Sequence, residues 1–111
     1  MLNKDILCIE AILEAISKIK KYTRNHANHD EFYIDSISFE ASMMNFVVIG
    51  EMVAKISEEF TNANPQIQWV RIKGFRNIVA HDYFGIDAEE VWQIIVNDLP
   101  ILENELKSLI T

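Results

Sequence analysis

Four chemically active side chains lie between positions 76 and 83 of this 111-residue chain: an arginine, an amide, an imidazole and a phenol. Arg76 keeps its positive charge at any ordinary pH, and its planar guanidinium matches the geometry of a phosphate. His81 can accept or release a proton near neutrality, because the reference pKa of histidine is about 6.5. The pair is therefore a candidate for proton transfer beside a fixed cation.

The helix that positions these side chains is predicted to run from about Gln68 to Ala80. Arg76 and His81 are five residues apart, so on a regular helix they diverge by about 140° and act together only if the helix lines a cleft. Asn77 lies four residues before His81 and shares its face, so its amide is a candidate to orient the ring or a phosphate. The predicted buried side of this helix consists of Trp69, Ile72, Phe75 and Val79.

The charge of the chain is unevenly distributed around this helix. The net charge is −7, which argues against a general nucleic-acid coat because phosphate binding needs basic surface. Residues 61–81 contain no acidic side chain and hold Arg71, Lys73 and Arg76, so this window carries +3 and the remainder −10. We interpret it as a local site able to hold one phosphate or a short single strand, with Lys73 as a supporting phosphate ligand.

The composition and periodicity predict an all-α fold. Half the residues are apolar, and there are only three glycines and two prolines, which is little turn-forming material for a β protein. Apolar stripes of helical period predict a first helix from about Asn3 to Lys21 and a fourth from about Ala88, capped by Asp87. Pro100 is expected to kink or break that last helix. The predicted architecture is a single-domain (1–111), up-and-down bundle of four to five helices.

The second and longest helix is predicted from about Asp35 to Phe60, after a polar connector from Thr23 to Asp30. Gly50 interrupts it at a cost of about 1 kcal/mol relative to alanine, so we expect a close helix crossing there. Glu51 follows and could face the cleft, although an exposed helical glutamate is the default. The stripe predicted to face the core comprises Ile34, Ile37, Ala41, Met44, Val48, Met52 and Ile56.

The remaining features favour a cytoplasmic protein without a metal, a cofactor or a membrane partner. The amino terminus has no apolar signal region, and no window approaches the roughly 18 apolar residues of a membrane span. Cys8 is the only cysteine, so we expect a buried or half-buried thiol. His26 and His29, with Asp30, are too few ligands for a zinc site, and we expect both histidines to be exposed in a loop.

The spacing of Arg76, His81 and Tyr83 resembles the Arg-x4-His-x-Tyr signature of the HepT-like toxins, a branch of the HEPN ribonuclease superfamily. The similarity covers roughly residues 37 to 106 and is fairly specific, because the flanking residues match as well as the motif. The flanking matches are Ile49-Gly50-Glu51, Asn64-Pro65 with Trp69, Val91-Trp92 and Asn97-Asp98-Leu99-Pro100.

This resemblance implies a metal-independent ribonuclease in which RNA supplies the nucleophile, its own 2′-hydroxyl. His81 would then transfer protons, and Arg76 would stabilise the charge that develops on the phosphate. One histidine cannot be base and acid at once. The resemblance implies that a homodimer supplies the second, by joining two motif helices into one composite cleft.

The resemblance also implies a toxin–antitoxin system. Its antitoxin, an MntA-type nucleotidyltransferase, would transfer AMP onto Tyr83, and the added phosphate would repel RNA. An alternative function from another class is a non-catalytic helical partner of a nucleotidyltransferase, in which Arg76 and His81 hold a nucleotide phosphate. RNA cleavage in excess chelator separates the two, because only the first function predicts it.

Overall fold

Helices make up every regular element of the chain in the computed structural model, which describes residues 3–78 and 87–111. The predicted all-α bundle is therefore confirmed. The elements in order are α1 (Asn3–Thr23), α2 (His29–Ile34), α3 (Ser36–Lys55), α4 (Glu58–Ala63), α5 (Trp69–Lys73), a 3-10 turn (Gly74–Asn77), α6 (Ala88–Gln93), a π-helical turn (Ile94–Asp98) and α7 (Leu99–Ile110).

The centre of the bundle is the pairing of α1 with α3, the most extensive contact between two elements. On α1, the isoleucines at positions 9, 12, 16 and 19 are completely buried, as their helical spacing predicts. Cys8 lies beside them and is buried. The carboxyl-terminal helix α7 also packs against α1. Helices α3 and α7 therefore share the core that α1 provides.

The second predicted helix is in fact two helices, because the chain breaks at Ile56 and Ser57. The cause is Asp5 of α1, whose buried carboxylate accepts hydrogen bonds from the Ser57 amide and hydroxyl, each at 2.8 Å. Ser57 in turn caps α4, since its hydroxyl oxygen accepts from the Phe60 amide. The partner acid is 52 residues away in sequence, so the buried hydrogen bonds that fix the break could not be predicted, although Ser57 followed by two glutamates is itself a local helix-start signal.

The predicted core face of α3 is correct only toward its carboxyl end, where Ile56 is buried and Val48 and Met52 are half-buried against the core. Its amino-terminal part is wrong. The buried side chains are those of Phe39, Met43, Phe46, Ile49 and Val53, whereas Ile37 and Met44 are 82% and 63% exposed. Ile34, just before α3, is exposed as well. Apolar residues occupy two sides of this helix, and both sides repeat with helical spacing, so periodicity could not choose between them.

The same composition makes α3 long and apolar enough to span a membrane, which the sequence analysis did not anticipate. Among the described helices, α3 is the only one with this combination of length and apolar composition. Its Phe39–Val53 side packs against α1 and against α5 with the 3-10 turn. These contacts are those of a core helix in a bundle.

The short helix α2 replaces part of the polar connector expected before α3. Asn28 caps it by accepting from the Glu31 amide at 3.0 Å, and Phe32 is fully buried, with its ring centre 5.6 Å from that of Trp92. His26 is not an exposed loop histidine: its side chain is only 11% exposed, and Nε2 lies 3.0 Å from Asp35 Oδ2.

Asp35 ends α2 and caps α3. Its carboxylate accepts from the Ser38 hydroxyl and backbone amide, and these bonds, followed by that to His26, lower the pKa of Asp35 below its ordinary value. A lowered pKa in the folded state stabilises the fold above the ordinary value. That contribution is lost as the pH falls through the lowered pKa, well below neutrality.

The last helical segment begins and bends where the sequence indicates. Asp87 caps α6 by accepting from the Glu90 amide at 3.0 Å. The irregularity expected near Pro100 takes the form of the π-helical turn, in which the Leu99 amide donates to the Ile94 carbonyl. Because Pro100 has no amide proton, a wider turn just before it lets the helix continue as α7.

Candidate active site

The motif segment is a short α-helix that tightens into a 3-10 turn, instead of the regular helix predicted to run to Ala80. Helix α5 ends at Lys73, and Gly74–Asn77 form the 3-10 turn. A 3-10 turn has three residues per turn, which aligns residues three apart. Lys73 and Arg76 are three residues apart, so this local geometry favours placing both cations on the same side of the segment.

Apolar anchors hold this segment onto the bundle, as the predicted buried side requires. Ile72 and Phe75 are buried, and the Phe75 ring meets that of Phe46 on α3 edge-on at 5.5 Å. Trp69 is half-buried, and its indole N–H donates to the Asn64 carbonyl at 2.9 Å. The backbone bearing Arg76 is therefore fixed from two sides.

Gly50 provides the space in which the motif segment lies against α3. A Cβ atom at position 50 would lie 2.7 Å from the Arg76 amide nitrogen, 2.8 Å from the Lys73 carbonyl oxygen and 2.9 Å from the Arg76 Cβ. Two of these three atoms belong to the backbone, so a side-chain rotation could not relieve the clash. The close crossing predicted at Gly50 is confirmed, and it sets the position of Arg76.

The guanidinium of Arg76 has one protein partner among the described residues, the carboxylate of Glu51. Arg76 Nη1 lies 3.4 Å from Glu51 Oε1, and the two side chains are 39% and 48% exposed. Glu51 is therefore an exposed helical glutamate, as expected by default, and its carboxylate also faces Arg76 of the motif segment. Within residues 3–78 and 87–111, therefore, most of the N–H donors of Arg76 have no partner and are candidates to bind an incoming anion.

The local basic window is less basic in three dimensions than in sequence. Arg71 forms an ion pair with Asp98 of the π-helical turn, and Arg76 contacts Glu51. Lys73 and Asn77 are exposed, and neither side chain has a partner within residues 3–78 and 87–111. Among the described residues of this window, the groups left to meet a phosphate are therefore Lys73, Asn77 and the outer side of Arg76.

The structure brings together only part of the predicted site. Arg76 and Asn77 lie in the 3-10 turn and Lys73 directly precedes it at the end of α5, whereas His81, Tyr83 and Val79 lie outside the described residues. The angle between the Arg76 and His81 side chains around the helix axis therefore stays a prediction. Sequence reasoning missed the pairing of Arg71 with Asp98, and the only available signal was the opposite charge of two residues 27 positions apart.

Comparison with known proteins extends the resemblance over nearly the whole chain. The family described as Ribonuclease HepT-like matches residues 12–109. A Methanocaldococcus jannaschii protein named "Putative RNase MJ0127" is 36% identical over 98 residues, which are 88% of this chain and 78% of that protein. "Probable ribonuclease HepT" of Thermococcus cleftensis is 32% identical over 107 residues, 96% of this chain and 94% of that protein.

No solved structure matches the chain. The family match covers both the α1–α3 core and the motif segment with its Gly50 crossing. The chain therefore belongs to the HepT-like ribonuclease family.

Proposed function

We propose that this protein is the toxin of a toxin–antitoxin system and cleaves RNA without a metal ion. The observation that supports this most directly is the placement of Arg76. Its backbone is seated against Gly50, its side chain is 39% exposed, and in the described part of the chain its guanidinium contacts only Glu51. The test is cleavage of RNA by the purified protein in excess chelator, compared with His81→Ala.

The proposed reaction begins when His81 removes the proton of a ribose 2′-hydroxyl. The 2′-oxygen then attacks the adjacent phosphorus, the bond from phosphorus to the 5′-oxygen breaks, and a second histidine protonates that leaving oxygen. Arg76 donates hydrogen bonds to the non-bridging oxygens, where negative charge increases. Lys73 adds positive charge, and Asn77 orients the ring or the phosphate. The products are a cyclic phosphate and a free 5′-hydroxyl.

A second copy of the chain is proposed to supply the second histidine. The outer stripe of α3, comprising Ile37, Ala41, Met44 and Val48, leads directly to Glu51, the contact of Arg76. Ile37 and Met44 are largely exposed in one copy. Pairing two such stripes about a two-fold axis that passes near Glu51 would bury apolar surface, and it would bring the two Arg76 side chains toward one cleft.

Met44→Asp is expected to convert the dimer to a monomer and to abolish RNA cleavage, because it places a charge in the proposed interface. Sedimentation equilibrium and the chelator assay measure the two effects. Ile101→Asp is the matched control, since Ile101 is equally exposed at 62% but lies on α7. A monomeric wild type, or a Met44→Asp variant that remains dimeric and active, would contradict this interface.

Tyr83 is proposed to be the site of regulation by a cognate nucleotidyltransferase antitoxin of the MntA type. With ATP, that enzyme is expected to add AMP to the Tyr83 hydroxyl and to stop cleavage, because the added phosphate repels RNA at the cleft. Intact-mass spectrometry checks this: Tyr83→Phe should lose the adduct, whereas Tyr33→Phe, which changes an exposed tyrosine on α2, should keep it. An adduct that persists on Tyr83→Phe would rule out this site.

A further inference from the structure

We infer that Glu51 is a positioning residue for the proposed reaction, which holds the guanidinium of Arg76 in the orientation that meets the phosphate. The inference rests on the proposed function, because it assigns a role within the same site. Glu51 touches no substrate atom in this account. Its effect on the rate passes through Arg76.

The first step of the argument is that the fold fixes only the base of the Arg76 side chain. The Gly50 contacts hold its amide nitrogen and Cβ, but the arginine side chain beyond Cβ has several rotatable bonds, and the side chain as a whole is 39% exposed. An unrestrained arginine loses roughly 2 kcal/mol of rotamer entropy when it becomes ordered. A partner that restrains the head before RNA arrives reduces that cost.

Glu51 is the residue placed to provide this restraint. It directly follows the glycine against which Arg76 packs, so the close crossing that fixes the Arg76 backbone also fixes the distance to the Glu51 backbone. The contact joins one nitrogen, Nη1, to one oxygen, Oε1, at 3.4 Å. A single contact of this kind orients the guanidinium while the opposite side of its fork remains free for phosphate oxygens.

The second step is electrostatic. A carboxylate beside the phosphate site repels RNA, so Glu51 weakens substrate binding while it orders Arg76. Because the pair is exposed, it contributes little to stability, on the order of 0 to 1 kcal/mol. A residue kept there for stability alone would change neither kcat nor KM when it is replaced. Replacing a positioning residue lowers kcat. Replacing a residue that contacts the substrate raises KM, whereas removing the Glu51 charge should leave KM unchanged or lower it.

The experiment compares Glu51→Ala and Glu51→Gln with the wild type in RNA cleavage by the full chain. Glu51→Ala is expected to lower kcat by about tenfold without raising KM. Glu51→Gln keeps an acceptor oxygen and is expected to stay within about threefold of the wild-type kcat. Glu59→Ala, which removes an exposed glutamate on α4 that contacts no cation of the described ranges 3–78 and 87–111, is the matched control and should cleave normally.

Two further measurements separate positioning from other effects. In an Arg76→Lys background, Glu51→Ala should cause no additional loss, because both changes act through one group. The heteronuclear NOE of the Arg76 Nε–H should fall in Glu51→Ala, which reports the lost restraint without any activity measurement.

A kcat equal to that of the wild type in Glu51→Ala, while His81→Ala is inactive, would overturn the inference and leave the proposed function standing. If wild type and His81→Ala both fail to cleave, the proposed function fails. In that case an unchanged NOE overturns the positioning role as well.

Discussion

Arg76→Ala is expected to lower the kcat of RNA cleavage by about 10²- to 10³-fold, the usual loss when one preorganised donor to a developing oxyanion is removed. The physical reason is that the guanidinium stabilises charge that appears only in the transition state. His81→Ala should cause a comparable or larger loss, about 10²- to 10⁴-fold, because it removes the proton-transfer group. Cleavage of a short RNA in excess chelator, with the product ends identified, measures both.

Arg71→Ala is the matched control for Arg76→Ala. Both substitutions remove one arginine from the same helical segment, so both lower the general attraction to RNA equally. Arg71 is already paired with Asp98, so its removal should leave kcat within about twofold of wild type and cost less than about 1 kcal/mol of stability. If the two variants lose activity equally, the cleavage depends on net charge and not on a placed guanidinium. Binding of RNA without cleavage by the wild type would instead support the non-catalytic alternative.

Gly50→Ala is expected to destabilise the protein by about 1 to 3 kcal/mol, the typical cost of an overpacked core contact. Helix propensity alone predicts the opposite sign, because alanine is about 1 kcal/mol better than glycine in a helix interior. The clash dominates, since the new Cβ would lie 2.7 Å from the Arg76 amide nitrogen and 2.8 Å from the Lys73 carbonyl oxygen. To relieve it, the motif segment must move away from α3, so cleavage should fall together with stability. Urea denaturation and the chelator assay measure the two changes.

Gly74→Ala provides the control for this prediction within the same contact region. A Cβ atom at position 74 would meet nothing within 4 Å, and the backbone there already has right-handed helical angles. Alanine should therefore be neutral or should stabilise the fold by about 0.4 to 1 kcal/mol through the unfolded chain. A Gly50→Ala variant as stable and active as Gly74→Ala would show that the crossing does not set the position of Arg76.

Much of the local structure could be predicted because its signals are local. The cap at Asp87 and the irregularity before Pro100 depend on residues within a few positions of each other, and both appear in the structure. Gly50 within a helix is also a local signal of a close crossing, although the segment that crosses there is distant in sequence. The short helix α2 was missed, although Asn28 followed three residues later by Glu31 is a capping signal.

The sequence by itself determined the helical class, the family and the residue types of the candidate site, because motif spacing and apolar periodicity are properties of neighbouring positions. Only the tertiary structure decided which side of α3 is buried, where the long second helix breaks at Ser57, and which cations are already paired. Each of those outcomes depends on a contact between distant segments: α1 with α3, Asp5 with Ser57, and Glu51 with Arg76. The energy of such a contact depends on how the whole chain packs, so no local pattern of residues contains it.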